Sequence, residues 1–268
     1  MRILGGRIGL MFYDVTSLYF ETPSRDDLRQ PGFSKDGKTS ESQIILGLLV
    51  STGGYLLSYA VFNGSQYEGR TMIPIIDDFK QRFNLKDFVV VADSGLMSKA
   101  NVKLLKEAGY KYIIGTRLRN ESESVKDWVL SLNKHGYNKF LEISKDVQVV
   151  INQDKVDLDA RWDGLKGYRT NTDLSVQTII EQYHGLWVVE KAFRISKGNL
   201  EMRPIFHFTE KRIEAHICIC FVAYKVYKEL KRIIQETKLN MSVDKVLDIA
   251  KTLITLQVKI PDTNVNGK

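Results

Sequence analysis

Five apolar residues in a row, Phe88 to Ala92, stop abruptly at Asp93-Ser94-Gly95. An apolar run of this length with no polar alternation marks a strand covered on both faces, as in the middle of an α/β sheet. A helix starts near Ser98, with Val102, Leu104, Leu105 and Ala108 inward and Gly109 as its cap, and Tyr112 to Gly115 gives another short strand. Asp93 therefore stands at the carboxyl end of a central strand, just before a strand-to-helix turn. Open α/β sheets hold their ligands there. A purely structural Asp is the plain alternative.

The rest of the chain supplies partners for that strand. Ile8, Leu10, Phe12 and Asp14 alternate with the period of a strand, which puts Asp14 on an otherwise inward face unless it only caps the strand end. Ile44 to Val50 and Tyr55 to Phe62 read as a hairpin joined by Ser51-Thr52-Gly53-Gly54. Met72, Ile75, Ile76, Phe79 and Phe83 keep helical spacing, with Pro74 tolerable in the first turn. The loop from Pro23 to Ser42 carries Arg25, Arg29, Lys35 and Lys38, either solvated or facing phosphate. From 116 to 170 the texture becomes polar. A short helix is expected over 122–132 and antiparallel strands in KFLEISKDVQVVINQ and KVDLDARW, a β-rich insertion, and DGLKGYRTNTD then reads as a loop. Two helices close the chain. One runs from Glu210 to Gln235 with Ile213, Ile217, Cys220, Phe221, Tyr224 and Tyr227/Lys228 inward, the other from Met241 to Leu256, and the tail over 259–268 is expected to fray.

The segment between insertion and final helices is the odd one. If Asp173 to Ser196 is one helix, then Val176, Ile179, Ile180, Tyr183 and Trp187 make an apolar stripe. Glu190 falls in that stripe two turns after Tyr183, Lys197 two turns later, and Arg194 joins the same face. Burying an ionised Glu is costly without a cation or donor to meet it. The segment alone allows two readings: a functional carboxylate, or a helix that emerges into solvent with an ordinary charged face.

Composition narrows the function classes. Thirty-nine basic against 32 acidic residues give a net charge of +7, a moderate excess that suits a polyanion partner without demanding one. Cys218 and Cys220 lie two apart in a helix, so they build neither a disulfide framework nor a zinc site and are expected to be buried thiols of a reducing compartment. His135, His184, His207 and His216 are scattered, and none is taken as a ligand. No apolar run approaches the ~20 residues of a membrane span, and the start resembles no signal peptide, so a cytoplasmic protein with no membrane partner is expected.

Tyr183, Glu190 and Lys197 fill three positions of the pattern Y-x2-R-x3-E-x6-K. YDVTSLYFE around Asp14, GFSKDGKTSESQIILGLLV, VVADSGLMS around Asp93 and DGLKGYRTN add to it. Together these resemble the DDE transposases of bacterial insertion sequences, from about Ile8 to about Tyr224. The Arg position holds Leu186, a departure, and Arg194 on the same face stands in as candidate DNA contact.

The resemblance implies a ribonuclease H-like fold: an α/β mixed sheet flanked by helices, with residues 1–115 and 171–258 forming the catalytic domain around the insertion. It implies metal-dependent DNA cleavage at transposon ends and strand transfer by a 3′-OH, with Asp14, Asp93 and Glu190 both catalytic and metal-binding. Tyr183, Arg194 and Lys197 would contact DNA, and Trp187 is expected in the core. Two Mg²⁺ ions, replaceable by Mn²⁺, suit carboxylate oxygens and an in-line displacement. Double-stranded DNA, a homodimeric active complex and a place at the bacterial nucleoid follow from the same likeness. The family pattern also includes an N-terminal end-binding region, whereas the first strand here begins near Met1. A truncated remnant that binds DNA, or a nuclease that only hydrolyses, is therefore the alternative expectation.

Overall fold

The computed structural model describes residues 9–21, 24–33, 40–85, 87–96, 98–116, 141–143, 149–151 and 153–253. Ile8, Lys35, Lys38, the helix expected over 122–132 and the tail over 259–268 lie outside them. In chain order the elements are β1 (Leu10–Tyr19), β2 (Gln30–Pro31), β3 (Ser42–Ser51), β4 (Leu56–Asn63), α1 (Met72–Phe83), β5 (Val89–Ala92), α2 (Lys99–Glu107) and β6 (Lys111–Thr116). Then come β7 (Leu141–Ile143), β8 (Val149–Ile151), α3 (Gln153–Ala160), β9 (Gly167–Thr170), α4 (Val176–His184), α5 (Trp187–Lys197), α6 (Glu210–Glu236) and α7 (Val243–Thr252).

The main sheet runs β4-β3-β1-β5-β6-β9, with the short β2 also pairing to β3. Hairpin-linked β1, β3 and β4 are antiparallel, whereas β1, β5 and β6 are parallel. This is the ribonuclease H-like mixed sheet. The parallel pairs need crossovers, and α1 and α2 provide them.

Alternate side chains of each central strand serve opposite faces. Met11, Tyr13, Ile45, Val90, Ala92, Tyr112 and Ile114 pack against Met72, Ile75, Ile76 and Phe79 of α1 and Val102 and Leu105 of α2. Phe12, Leu18, Leu46, Leu48, Val91 and Ile113 pack against Leu186, Val189, Ala192 and Phe193, and against Ile213, Ile217 and Tyr224 of α6. All ten residues of β3 are buried, because that strand is covered on both sides.

Local signals account for most boundaries. Ser98 and Ser242 each accept a hydrogen bond from the backbone N–H three residues on, capping α2 and α7. Gly109 takes a left-handed φ of 70° just past α2. Four expectations fail outside the segment 173–197. KVDLDARW is not a strand: residues 153–160 form α3, in which Val156 is buried and Leu158 points outward. DGLKGYRTNTD is not all loop, because β9 inside it extends the main sheet antiparallel to β6. In α2 the inward residues are Asn101, Val102 and Leu105, with Leu104 and Ala108 exposed. Cys220 is buried as expected, but Cys218 faces outward. Among the described residues no helix is long and apolar enough to cross a membrane.

Candidate active site

Strand register brings the first two carboxylates together. β1 and β5 pair in parallel, with Leu10 opposite Val89 and Tyr13 opposite Ala92. One step further along each strand stand Asp14 and Asp93, and parallel neighbours lie about 4.8 Å apart. Phe12 and Leu18 belong to the face that α5 covers, so by period Asp14 turns to the same side. It is half-buried, and its Oδ1 accepts the N–H of Val15 at 2.8 Å.

The third carboxylate arrives on a helix that is not continuous. The expected single helix over 173–196 is two, α4 and α5, joined through Gly185 and Leu186. At the junction the bonds tighten to i−3: Leu186 N–H donates to Tyr183 O, Val188 to Gly185 O and Val189 to Leu186 O. Gly185 is required there, since a Cβ would come within 2.4 Å of the Phe12 ring on β1. From that contact α5 runs along β1 until Lys197 Nζ donates to the Thr16 hydroxyl. Glu190 lies between these two anchors, at the level of Asp14.

Asp14, Asp93, Tyr183, His184, Leu186, Trp187, Val189 and Glu190 line one cavity of about 220 Å³. Within it the Tyr183 hydroxyl donates to Asp93 Oδ1 at 2.9 Å, while Asp93 Oδ2 accepts the N–H of Gly95 at 3.3 Å. Burial, then the charge and hydrogen bond of Asp93, push the Tyr183 phenol well above the usual tyrosine range, so it stays a donor. Its ring packs on Tyr168 of β9 at 4.6 Å between centroids. Gly115 of β6 leaves room for the hydroxyl, as a Cβ there would lie 2.2 Å from it. Neither Tyr168 nor Gly115 was singled out from the sequence. A glycine inside a strand is the usual sign of such a close approach.

Leu186, at the pattern's Arg position, is buried in the core as well as lining the cavity. Trp187, expected in the core, is 57% exposed, because the break at Gly185 and Leu186 turns it outward. Arg194 is exposed and does not line the cavity, and Lys197 is held by Thr16 and lies 6.0 Å from the centre of the Phe193 ring. Among the described residues no group of three or more His, Cys, Asp and Glu side chains is close enough together to hold a metal ion. The carboxylate oxygens are turned partly to donors of the chain itself. Their chemistry nonetheless suits a hard divalent cation, which takes oxygen ligands.

No curated protein sequence matches the chain. Among solved structures it is similar to a piggyBac transposase in a synaptic complex with hairpin DNA, at 11% identity and a TM-score of 0.53 over 90% of this chain and 51% of that one. The chain thus spans about half the length of that protein, and at such low identity the likeness speaks for the fold alone. A Mos1 transposase paired-end complex with left transposon end aligns at 11% identity over 39% of this chain and 34% of that one, with a TM-score of 0.27, too little to bear on the site. The sequence itself is decisive over most of its length, for residues 6–225 match the model of one family. The chain belongs to the transposase DDE domain family.

Proposed function

We propose that this domain carries out DNA transposition, cutting transposon ends and joining a freed 3′-OH to target DNA, with Asp14, Asp93 and Glu190 as the working carboxylates. One observation supports the assignment above others: three acidic side chains from distant parts of the chain line a single cavity. Divalent ions bound by these oxygens would lower the pKa of an attacking water and offset charge on the phosphate. Magnesium, as two ions with manganese able to replace it, fits the donor set best.

The chain's own groups do the positioning. Asp14 is fixed by β1, inside the sheet, and Asp93 is oriented by the Tyr183 hydroxyl and the Gly95 N–H. Glu190 is carried on α5 and is exposed, so it is the carboxylate best able to move toward the other two. Tyr183 acts first as a positioning residue, and Arg194 and Lys197, further along α5, would contact a DNA backbone, Lys197 by exchanging Thr16 for a phosphate. We read the chain as a member of the bacterial insertion-sequence subgroup, acting in the cytoplasm at the nucleoid as a homodimer on double-stranded DNA.

The test offers a labelled donor duplex with a pre-cut 3′ end and a supercoiled target plasmid, with Mg²⁺, with Mn²⁺ or with chelator. Joined product that disappears on chelation is expected. Nicked or hydrolysed product alone would reassign the domain to a nuclease, and no metal-dependent product under any condition would remove the proposal.

A further inference from the structure

A second cavity, of about 370 Å³, opens beside the first, bounded by the β3–β4 turn, α5, α6 and the start of α7. Trp187 lines both, so the two share a wall. The interior is apolar, with Val188, Tyr224 and Val243, yet three ammonium groups, those of Lys191, Lys228 and Lys231, gather at it. All three lysines are half-buried. Among the described residues none of them has a carboxylate within ion-pair distance. Glu229, the acid next to Lys228 in the chain, is held instead by Arg232 and the Tyr55 hydroxyl.

Their placement is built. Lys228 Nζ donates to Gly53 O at 2.7 Å and lies 5.3 Å from the centre of the Tyr55 ring. Gly54 has a φ of 78°, and a Cβ there would come within 2.8 Å of that Nζ. Lys191 Nζ lies 5.4 Å from the centre of the Trp187 ring, at the shared wall. Burial first, then the neighbouring charges of Lys231 and Lys191, pull Lys228 below the usual lysine range. Lys231 is lowered by burial and by Lys191. Half-buried like charges without counter-charge disfavour the fold, and an anion entering the cavity would relieve them.

We infer that this cavity is a phosphate subsite, in which Lys191, Lys228 and Lys231 hold the backbone of the DNA strand that passes Trp187 from the acidic cavity. The inference rests on the function proposed above. Charge complementarity and the shared wall select the occupant: a strand threaded past Glu190 meets Lys191 one residue later. Lysine contributes point charges to phosphates, so the subsite contributes affinity and direction without reading sequence.

The experiment measures binding of the full chain to a fluorescent duplex between 50 and 200 mM salt, with chelator present to prevent cutting. Each lysine contact on duplex DNA steepens the salt dependence of log K by about 0.9. Replacing all three lysines with glutamine should therefore make the slope shallower by about 3, and replacing all three with arginine should keep it. If the triple glutamine variant does not fold, as judged by circular dichroism, Lys191→Gln with Lys231→Gln should lower the slope by about 2. Parental binding with an unchanged slope in the folded glutamine variant overturns the subsite alone. A parent that binds no DNA overturns the proposed function and the subsite with it.

Discussion

Tyr13 and Asp14 are adjacent on β1, and the comparison between the two faces they serve is instructive. Tyr13 turns toward α1, where its hydroxyl donates to Thr71 Oγ1 at 2.6 Å and the surroundings are otherwise apolar. Asp14 turns toward α5 and lines an open cavity beside Asp93 and Glu190. The first face satisfies its polar groups and closes. The second keeps carboxylates and lysines that would weaken a core. A sheet covered on both sides can thus give one face to stability and lend the other to chemistry.

The largest expected effect tests that division directly. Asp14→Asn, Asp93→Asn and Glu190→Gln should each cut strand cleavage by at least about a thousandfold, roughly 4 kcal/mol of transition-state stabilisation. Urea unfolding of the same variants should stay within about 1 kcal/mol of the parent. Nicking of supercoiled plasmid provides the rate, and parental activity in all three variants would remove these residues from the site.

On the opposite face the pattern should reverse. Ile76, fully buried on the inner face of α1, does not line the cavity. Ile76→Ala should cost about 2–5 kcal/mol through lost burial and a residual void, while the folded fraction cleaves at the parental rate. A variant that folds as stably as the parent would mean that this face is less tightly packed than its burial implies.

A smaller effect should appear where the two functions meet. Gly115→Ala would place a methyl group 2.2 Å from the Tyr183 hydroxyl and 3.1 Å from the Ser94 backbone nitrogen, so the tyrosine must shift. The bond to Asp93 is then lost, and the ring contact with Tyr168 loosens. About a tenfold fall in cleavage is expected, matched by Tyr183→Phe, and the double variant should lose no more than either single one. Losses that multiply would show that Gly115 acts by another route.

How much of this was visible in the residues follows from which forces are local. The apolar run Phe88–Ala92, the hairpin, Pro74 in the first turn of α1 and the inward stripe of α6 are period and turn signals, and they place the sheet and its helices. Asp14 and Asp93 were visible as carboxylates at strand positions that period makes inward or terminal. The break at Gly185 and Leu186 was not, because it depends on Phe12, a contact far away in the chain. That missed break explains why Trp187 was expected in the core. Lys191, Lys228 and Lys231 lie on two helices, and only tertiary packing gathers them at one cavity. β9 was hidden because a four-residue strand at a sheet edge carries too short a pattern to separate from a loop.

The finest distinction between the faces is in alkali. Burial, opposed in part by the Thr71 hydrogen bond, holds the Tyr13 phenol far above the usual tyrosine range. The unfolded chain ionises near pH 10. Above that point the folded state retains a proton that the unfolded state has lost. The contribution of Tyr13 is therefore complete below pH 10 and declines as pH rises beyond it, by up to about 1.4 kcal/mol per pH unit. Tyr13→Phe should lose about 1 kcal/mol at neutral pH with its hydrogen bond, yet become less sensitive to alkali than the parent. Urea midpoints at pH 8, 10 and 11 measure both. If Tyr13→Phe loses stability between pH 10 and 11 as steeply as the parent, Tyr13 is not where the alkaline sensitivity resides, and Tyr110 on the same face or Tyr183 or Tyr224 on the other must carry it.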